Sequence, residues 1–204
     1  MRTGLTISIL ILLFSCNNNS NKSIQLSQQT NIDIGNKFIN AFYSFNKDSL
    51  QTILNDAKES QPEILYYQKW AECANYKIVN RAQYVEKNDS TIIFPITVED
   101  DLMAALKIDF NVTDSFHITI KNGIIRSVKT SSNDIITYYQ AKEWVNKNRP
   151  ELVEKPCEGI WEGGPTPCEC VLGMIKGFTE FTNDKNLTQN LTQTSRRNKK
   201  GPTI

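Results

Sequence analysis

The chain is short of the features that announce a nucleic-acid binder or a common enzyme class. Its 23 basic and 22 acidic residues leave a formal charge of +1, so no excess of one sign drives binding to nucleic acid or to an anionic surface. There is one histidine, His117. No His-Glu-x-x-His, Gly-rich phosphate loop, Gly-x-Ser-x-Gly elbow or Cys-x-x-Cys occurs, so no metal, cofactor or redox pair is expected. With 39% hydrophobic and 22% charged residues in 204, the chain can build one core but is no polytopic membrane protein. No internal repeat is visible.

The first residues, MRTGLTISILILLFSC, combine the positive Arg2 with an apolar run from Leu5 to Phe14. That run is too short to span a bilayer and predicts a secretory signal. Its end, Leu13-Phe14-Ser15-Cys16, resembles the lipobox of bacterial lipoproteins, which implies a signal over residues 1–15 and acylation of Cys16. Acyl chains on one cysteine suffice for stable anchoring. The expected location is the bacterial cell envelope, lipid-anchored and facing the periplasm or cell surface. An ordinary cleaved signal with an incidental Cys16 is the competing reading. Residues 16–30 are Asn-, Ser- and Gln-rich and read as a flexible tether, and 184–204 as a disordered tail. Arg196, Arg197, Lys199 and Lys200 in that tail read as solvated charge.

Between them, residues 31–183 read as one domain. Ile34, Phe38, Ala41, Phe42 and Phe45 recur at helical spacing. Asp48 is the expected cap of a second helix carrying Leu50, Ile53 and Leu54, and Ser60 with Glu63 forms a capping-box pattern for a third. The period then changes to two. Ile78 to Tyr84 and Ile92 to Val98 predict strands, with Pro95 demanding an edge or a bulge. Leu106 to Ile120 alternates most regularly, and Asp114, the one polar residue on its apolar parity, predicts a bend. Asn122-Gly123 predicts a type I′ hairpin into a last strand from Ile124 to Thr130. A helix over 134–146 follows, and Thr166-Pro167-Cys168-Glu169 signals the start of another.

Three helices followed by an antiparallel sheet resemble the nuclear transport factor 2-like (SnoaL-like) domain. The segment from Asp114 through Asn122-Gly123 to Ile125 is similar to the late strand, turn and strand of its members. Pro156-Cys157-Glu158 and Thr166-Pro167 with Cys170-Val171 resemble a helical extension found in some secreted or lipid-anchored members. The resemblance implies an α+β fold: a cone-shaped, curved antiparallel sheet packed by amino-terminal helices, with a carboxy-terminal helical extension. It also implies a pocket under the concave sheet, whose use fold alone does not fix.

The five cysteines are odd in number. With Cys16 lipidated, Cys73, Cys157, Cys168 and Cys170 form an even set suited to two disulfides in an oxidising compartment. Cys168 and Cys170 point about 200° apart at a helix start, which disfavours their pairing. The resemblance implies Cys157 with Cys170, and hence Cys73 with Cys168; the swapped pairing stays open. Zinc is the weaker reading, because Cys-x-Cys is not a usual ligand spacing.

The residues carrying possible function are few. His117 shares a polar strand parity with Asp109, a placement from which the two could move a proton if both faced a pocket; otherwise His117 is a strand histidine facing solvent. Glu99-Asp100-Asp101 reads as a solvated turn. Tyr66, Tyr67, Trp70 and Tyr76 are core, or line a pocket mouth. Trp161, on a loop the disulfides would close, is the candidate partner contact. The expectation is a non-catalytic envelope lipoprotein that binds a small apolar ligand or a protein partner, with a SnoaL-like enzyme using His117 as the alternative. Oligomeric state is left open, a dimer included.

Overall fold

The computed structural model describes residues 19–159 and 168–198, with side chains described for 30–159 and 168–184. The fold is α+β: helices α1 (Asn19–Tyr43), α2 (Lys47–Ile53) and α3 (Gln61–Cys73) precede strands β1 (Lys77–Arg81), β2 (Val85–Asn88) and β3 (Thr91–Glu99). A short helix, α4 (Asp101–Ala105), leads into the hairpin of β4 (Val112–Lys121) and β5 (Ile124–Ser132). Helix α5 (Ile136–Asn148), a 3-10 turn (Pro150–Leu152) and α6 (Cys168–Asn198) complete the described chain.

The apolar stripe of α1 becomes its buried face: Phe38, Ile39 and Phe42 are at most 1% exposed. Phe42 meets Phe116 of β4 edge to face, with ring centroids 4.9 Å apart. Gln68, buried on α3, donates to the carbonyls of Ala41 and Phe42, each at 3.0 Å. Those carbonyls lie in the last turn of α1 and also accept from the Ser44 hydroxyl and the Phe45 amide, so Gln68 adds a buried bond that ties α3 to the end of α1. Gly35 is required where α1 crosses β3, because a Cβ there would run into the Phe94 ring.

Two caps differ from expectation. Asn46, not Asp48, caps α2 by accepting from the Ser49 amide at 2.9 Å. Ser60 stands at the N-cap of α3 but makes no side-chain cap. Its buried hydroxyl instead accepts from the Val128 amide of β5 at 3.0 Å, so a local capping box yields to a tertiary bond between α3 and the sheet. Helices α1 and α6 also extend into the spans whose composition reads as tether and tail. No glycine or proline interrupts residues 19–33 or 178–198, so nothing local stops a helix once its packed part has formed.

The five-stranded antiparallel sheet runs β1-β3-β4-β5, with β2 also paired to β3. β1 and β2 thus share one side of β3, with a gap between them. Pro95 faces that gap: its carbonyl accepts from the Ala82 amide, beyond the end of β1, at 3.1 Å. A strand residue directs its N and its carbonyl to the same side, so the missing N–H costs no ladder bond. The expected edge or bulge is therefore corrected to an interior strand with an interrupted neighbour.

The long alternation from Leu106 is also shortened. Asp100 starts α4, and β4 begins only at Val112. Asp114 produces no bend: it pairs with Ile96 and Ser132 within an unbroken stretch of ladder. The hairpin is as expected, with Asn122 and Gly123 both at positive φ, 55° and 72°.

Both disulfides form with the pairing the resemblance implies. Cys73–Cys168 ties the end of α3 to the start of α6, and Cys157–Cys170 ties the segment after the 3-10 turn to the first turn of α6. Together with Gly177, which lets Val145 of α5 approach closely, they fasten the carboxy-terminal helices beside α3.

Candidate functional site

The inner face of the sheet does more than fill a core. Between β4, β5, α3, α4, α5 and the disulfide-tied segment lies a cavity of about 830 Å³. Its aromatic wall is Tyr66, Tyr67 and Trp70 from α3, Tyr76 just beyond, and Tyr138 from α5. Leu102 and Met103 of α4, Val112, Val153 and Met174 supply apolar patches, and Cys157–Cys170 forms part of the far wall. The four aromatics singled out by sequence thus line the cavity, and Tyr66 is also buried.

Asp114 is the most unusual member of the lining. It sits on the same parity of β4 as Phe116 and Ile118 and is 1% exposed. The Tyr67 side chain hydrogen-bonds to its carboxyl, Ser132 beside it donates its hydroxyl to Asp134 Oδ1 at 3.1 Å, and Oδ2 has no partner among the described residues. No ion pair to it occurs among those residues. Burial pushes its pKa up to about 7, against the lowering effect of the Tyr67 bond. A desolvated carboxylate is costly unless paired, so the proton is retained far above its usual range.

Asp100 overturns the reading of Glu99-Asp100-Asp101 as a solvated turn. It is buried at the N-cap of α4, accepting from the amides of Leu102 at 2.8 Å and Met103 at 2.9 Å. Burial raises its pKa to about 6 although those two bonds favour the ionised form. Asp134, ahead of α5, lines the same cavity and raises both carboxyls further by its charge. The phenols respond in the same direction. Burial, then the neighbouring acids, hold Tyr43 and Tyr138 above their usual range, and burial with Tyr76 and Asp114 does so for Tyr67. Burial likewise raises Tyr76. All four remain phenols, available as hydrogen-bond donors.

His117 and Asp109 are not brought together. His117 lies on the opposite parity of β4, half-buried, with Nε2 3.2 Å from the Ser131 hydroxyl. Asp109 is exposed in the turn between α4 and β4, outside any strand. Neither lines the cavity, so the shared parity does not translate into a shared site. Cys16 and Trp161, the expected lipidation and partner residues, lie outside the described residues, as do Thr166 and Pro167. Among the described residues no helix is long and apolar enough to cross a membrane, and no group of three metal-ligating side chains occurs.

Sequence reasoning missed Asp114, Asp100 and Asp134. The signal for Asp114 was in view: it is the single break in an apolar parity. A break in parity marks either a bend or a polar group deliberately turned inward, and only the neighbouring elements decide which. No known protein family, curated protein or solved structure matches the chain.

Proposed function

We propose that the chain is a cell-envelope lipoprotein whose nuclear transport factor 2-like, cone-shaped domain is a non-catalytic binding domain for a small, largely apolar ligand. The observation that carries this reading is the cavity of about 830 Å³ walled by five aromatic side chains. That volume falls in the range of about 300–1,000 Å³ typical of sites for drug-sized molecules. Three helices ahead of an antiparallel sheet, and a cavity under its inner face, are consistent with the cone. The two disulfides fit an oxidising compartment, as the amino-terminal signal and Cys16 require. In this reading the acyl chains on Cys16 attach the domain to the membrane, leaving the cavity free to meet ligand in the periplasm or at the cell surface.

Proton transfer by His117 with Asp109 loses its geometric basis, because neither residue lines the cavity. Among the described residues the lining offers no histidine and no free thiol, its two cysteines being joined. Native mass spectrometry of protein purified from its membrane, before and after organic extraction, tests the binding reading. The expected result is a small extractable molecule in stoichiometric amount, or saturable uptake of an environment-sensitive aromatic probe. A protein that carries nothing and takes up no probe would overturn it. Palmitate labelling that persists in Cys16→Ala would overturn the anchor.

A further inference from the structure

We infer that the cavity selects ligands joining an aromatic or aliphatic body to a protonated amine, with Asp114 as the counter-ion of the ammonium group. The inference rests on the binding reading above and names its ligand class. Two observations carry it. The first is the imbalance of charge around the cavity: Glu63, Asp100, Asp114, Asp134 and Glu154 line it against Lys142 alone among the described residues. An anionic ligand would meet repulsion from most of the wall, and a neutral one would leave that field unused.

The second is Asp114 itself. A carboxyl that is 1% exposed, with one oxygen lacking any partner and no cation beside it among the described residues, is an incomplete ion pair. Arg81, whose charge acts on Tyr43, is directed to the Asn40 side chain at 2.8 Å and makes no ion pair with Asp114. Lys142 lies on the exposed side of α5. An ammonium group reaching the unpartnered oxygen would complete both the hydrogen bond and the charge. Tyr67, Tyr76 and Trp70, which line the same cavity, would hold the apolar body.

Binding is then coupled to a proton. The titratable groups around Asp114 are Tyr43 on α1, Tyr67 on α3, Tyr76 beyond it, Asp100 ahead of α4, Asp134 ahead of α5, and Tyr138 with Lys142 on α5. The phenols stay protonated through neutral pH. An ammonium ligand displaces the Asp114 proton to solvent, and a neutral ligand does not.

Dansylcadaverine, which ends in a primary ammonium, and its N-acetyl derivative, which ends in a neutral amide, share one fluorophore and separate these cases. A lysine-like amine, with a pKa of about 10.4, stays charged between pH 5 and 8, so any change in affinity over that range belongs to the protein. The expected result is at least about tenfold preference for the ammonium probe at pH 8, shrinking toward pH 5. In Asp114→Asn that preference falls to within about threefold, chiefly through weaker binding of the ammonium probe. Equal affinity of the two probes for wild-type protein at pH 8 would overturn the ligand class while leaving the cavity reading intact. So would an undiminished preference in Asp114→Asn. Failure of both probes to bind saturably would overturn the cavity reading and this one with it. The wild-type pH series needs no variant, so the inference is decided even if Asp114→Asn folds poorly.

Discussion

The two faces of β4 carry polar residues to opposite ends. On the outer face, Thr113 and Thr119 meet Thr97 and Thr91 of β3 at 2.9 and 3.2 Å, and His117 meets Ser131 of β5. These three polar groups are answered by polar side chains on the neighbouring strands, half in contact with water. On the inner face, Asp114 stands between Val112 and Phe116, opposite Ile96, and one of its oxygens has no answer among the described residues. Ser132, its ladder partner on β5, donates its hydroxyl to Asp134 instead. Satisfied polar groups on a strand are sheet chemistry. A buried acid left incomplete beside a cavity is site chemistry.

Four substitutions break or sharpen that contrast. The largest effect belongs to Phe116→Ala, which empties the aromatic cluster packed against Phe38 and Phe42. It is expected to lower stability by about 3–5 kcal/mol in denaturant titration, and a cost under about 1 kcal/mol would mean the inner face is not packed as described.

Asp114→Asn follows, and its effect depends on pH. The carboxyl titrates near 3.8 when unfolded and about 7 when folded, so the folded state binds the extra proton. Wild-type stability from this group is complete below pH 3.8, declines as pH rises through the interval, and is lost above about 7. At about 1.4 kcal/mol per unit, the ceiling is about 4 kcal/mol. The amide variant is expected to flatten that decline. Asp100, raised to about 6, leaves a smaller slope of the same sign. Melting temperature measured from pH 4 to pH 8 checks both; identical slopes in variant and wild type would contradict the assignment to Asp114.

Ser60→Ala tests an inner polar group that is satisfied. Losing the bond to the Val128 amide leaves that donor unpaired, which is expected to cost about 1–3 kcal/mol without pH dependence. The smallest effect is at His117, where exchange for Ala is expected to change stability by no more than about 0.5 kcal/mol and probe binding not at all. Abolished binding in that variant would reverse the assignment of the two faces.

What the sequence makes legible is whatever is decided locally. Asn122-Gly123 carries its own left-handed geometry, and the stripe from Ile34 to Phe42 carries its own helical period. Asp100 is different. In sequence it belongs to an acidic run, and its burial comes from tertiary structure: α4 packs against α6, and the Asp101 amide bonds the Ala74 carbonyl just after α3. Leu106, Ile108 and Phe110 keep a strand's alternation but follow a helix that a buried cap initiates, so periodicity alone overextends β4. Ser60 has the wording of a capping box, yet β5 competes for its hydroxyl and wins. The pairing of His117 with Asp109 failed for the same reason: parity places residues on a face only where the strand is continuous, and Asp109 precedes it.

Asp114 is a buried acid with no counter-charge among the described residues. Its side-chain carboxyl can be followed by carbon NMR in selectively labelled protein, free and with dansylcadaverine. The predicted midpoint is about 7 in the free protein and moves downward on binding the ammonium probe. A midpoint near the ordinary carboxylate value of 3.8, unmoved by the probe, would contradict it.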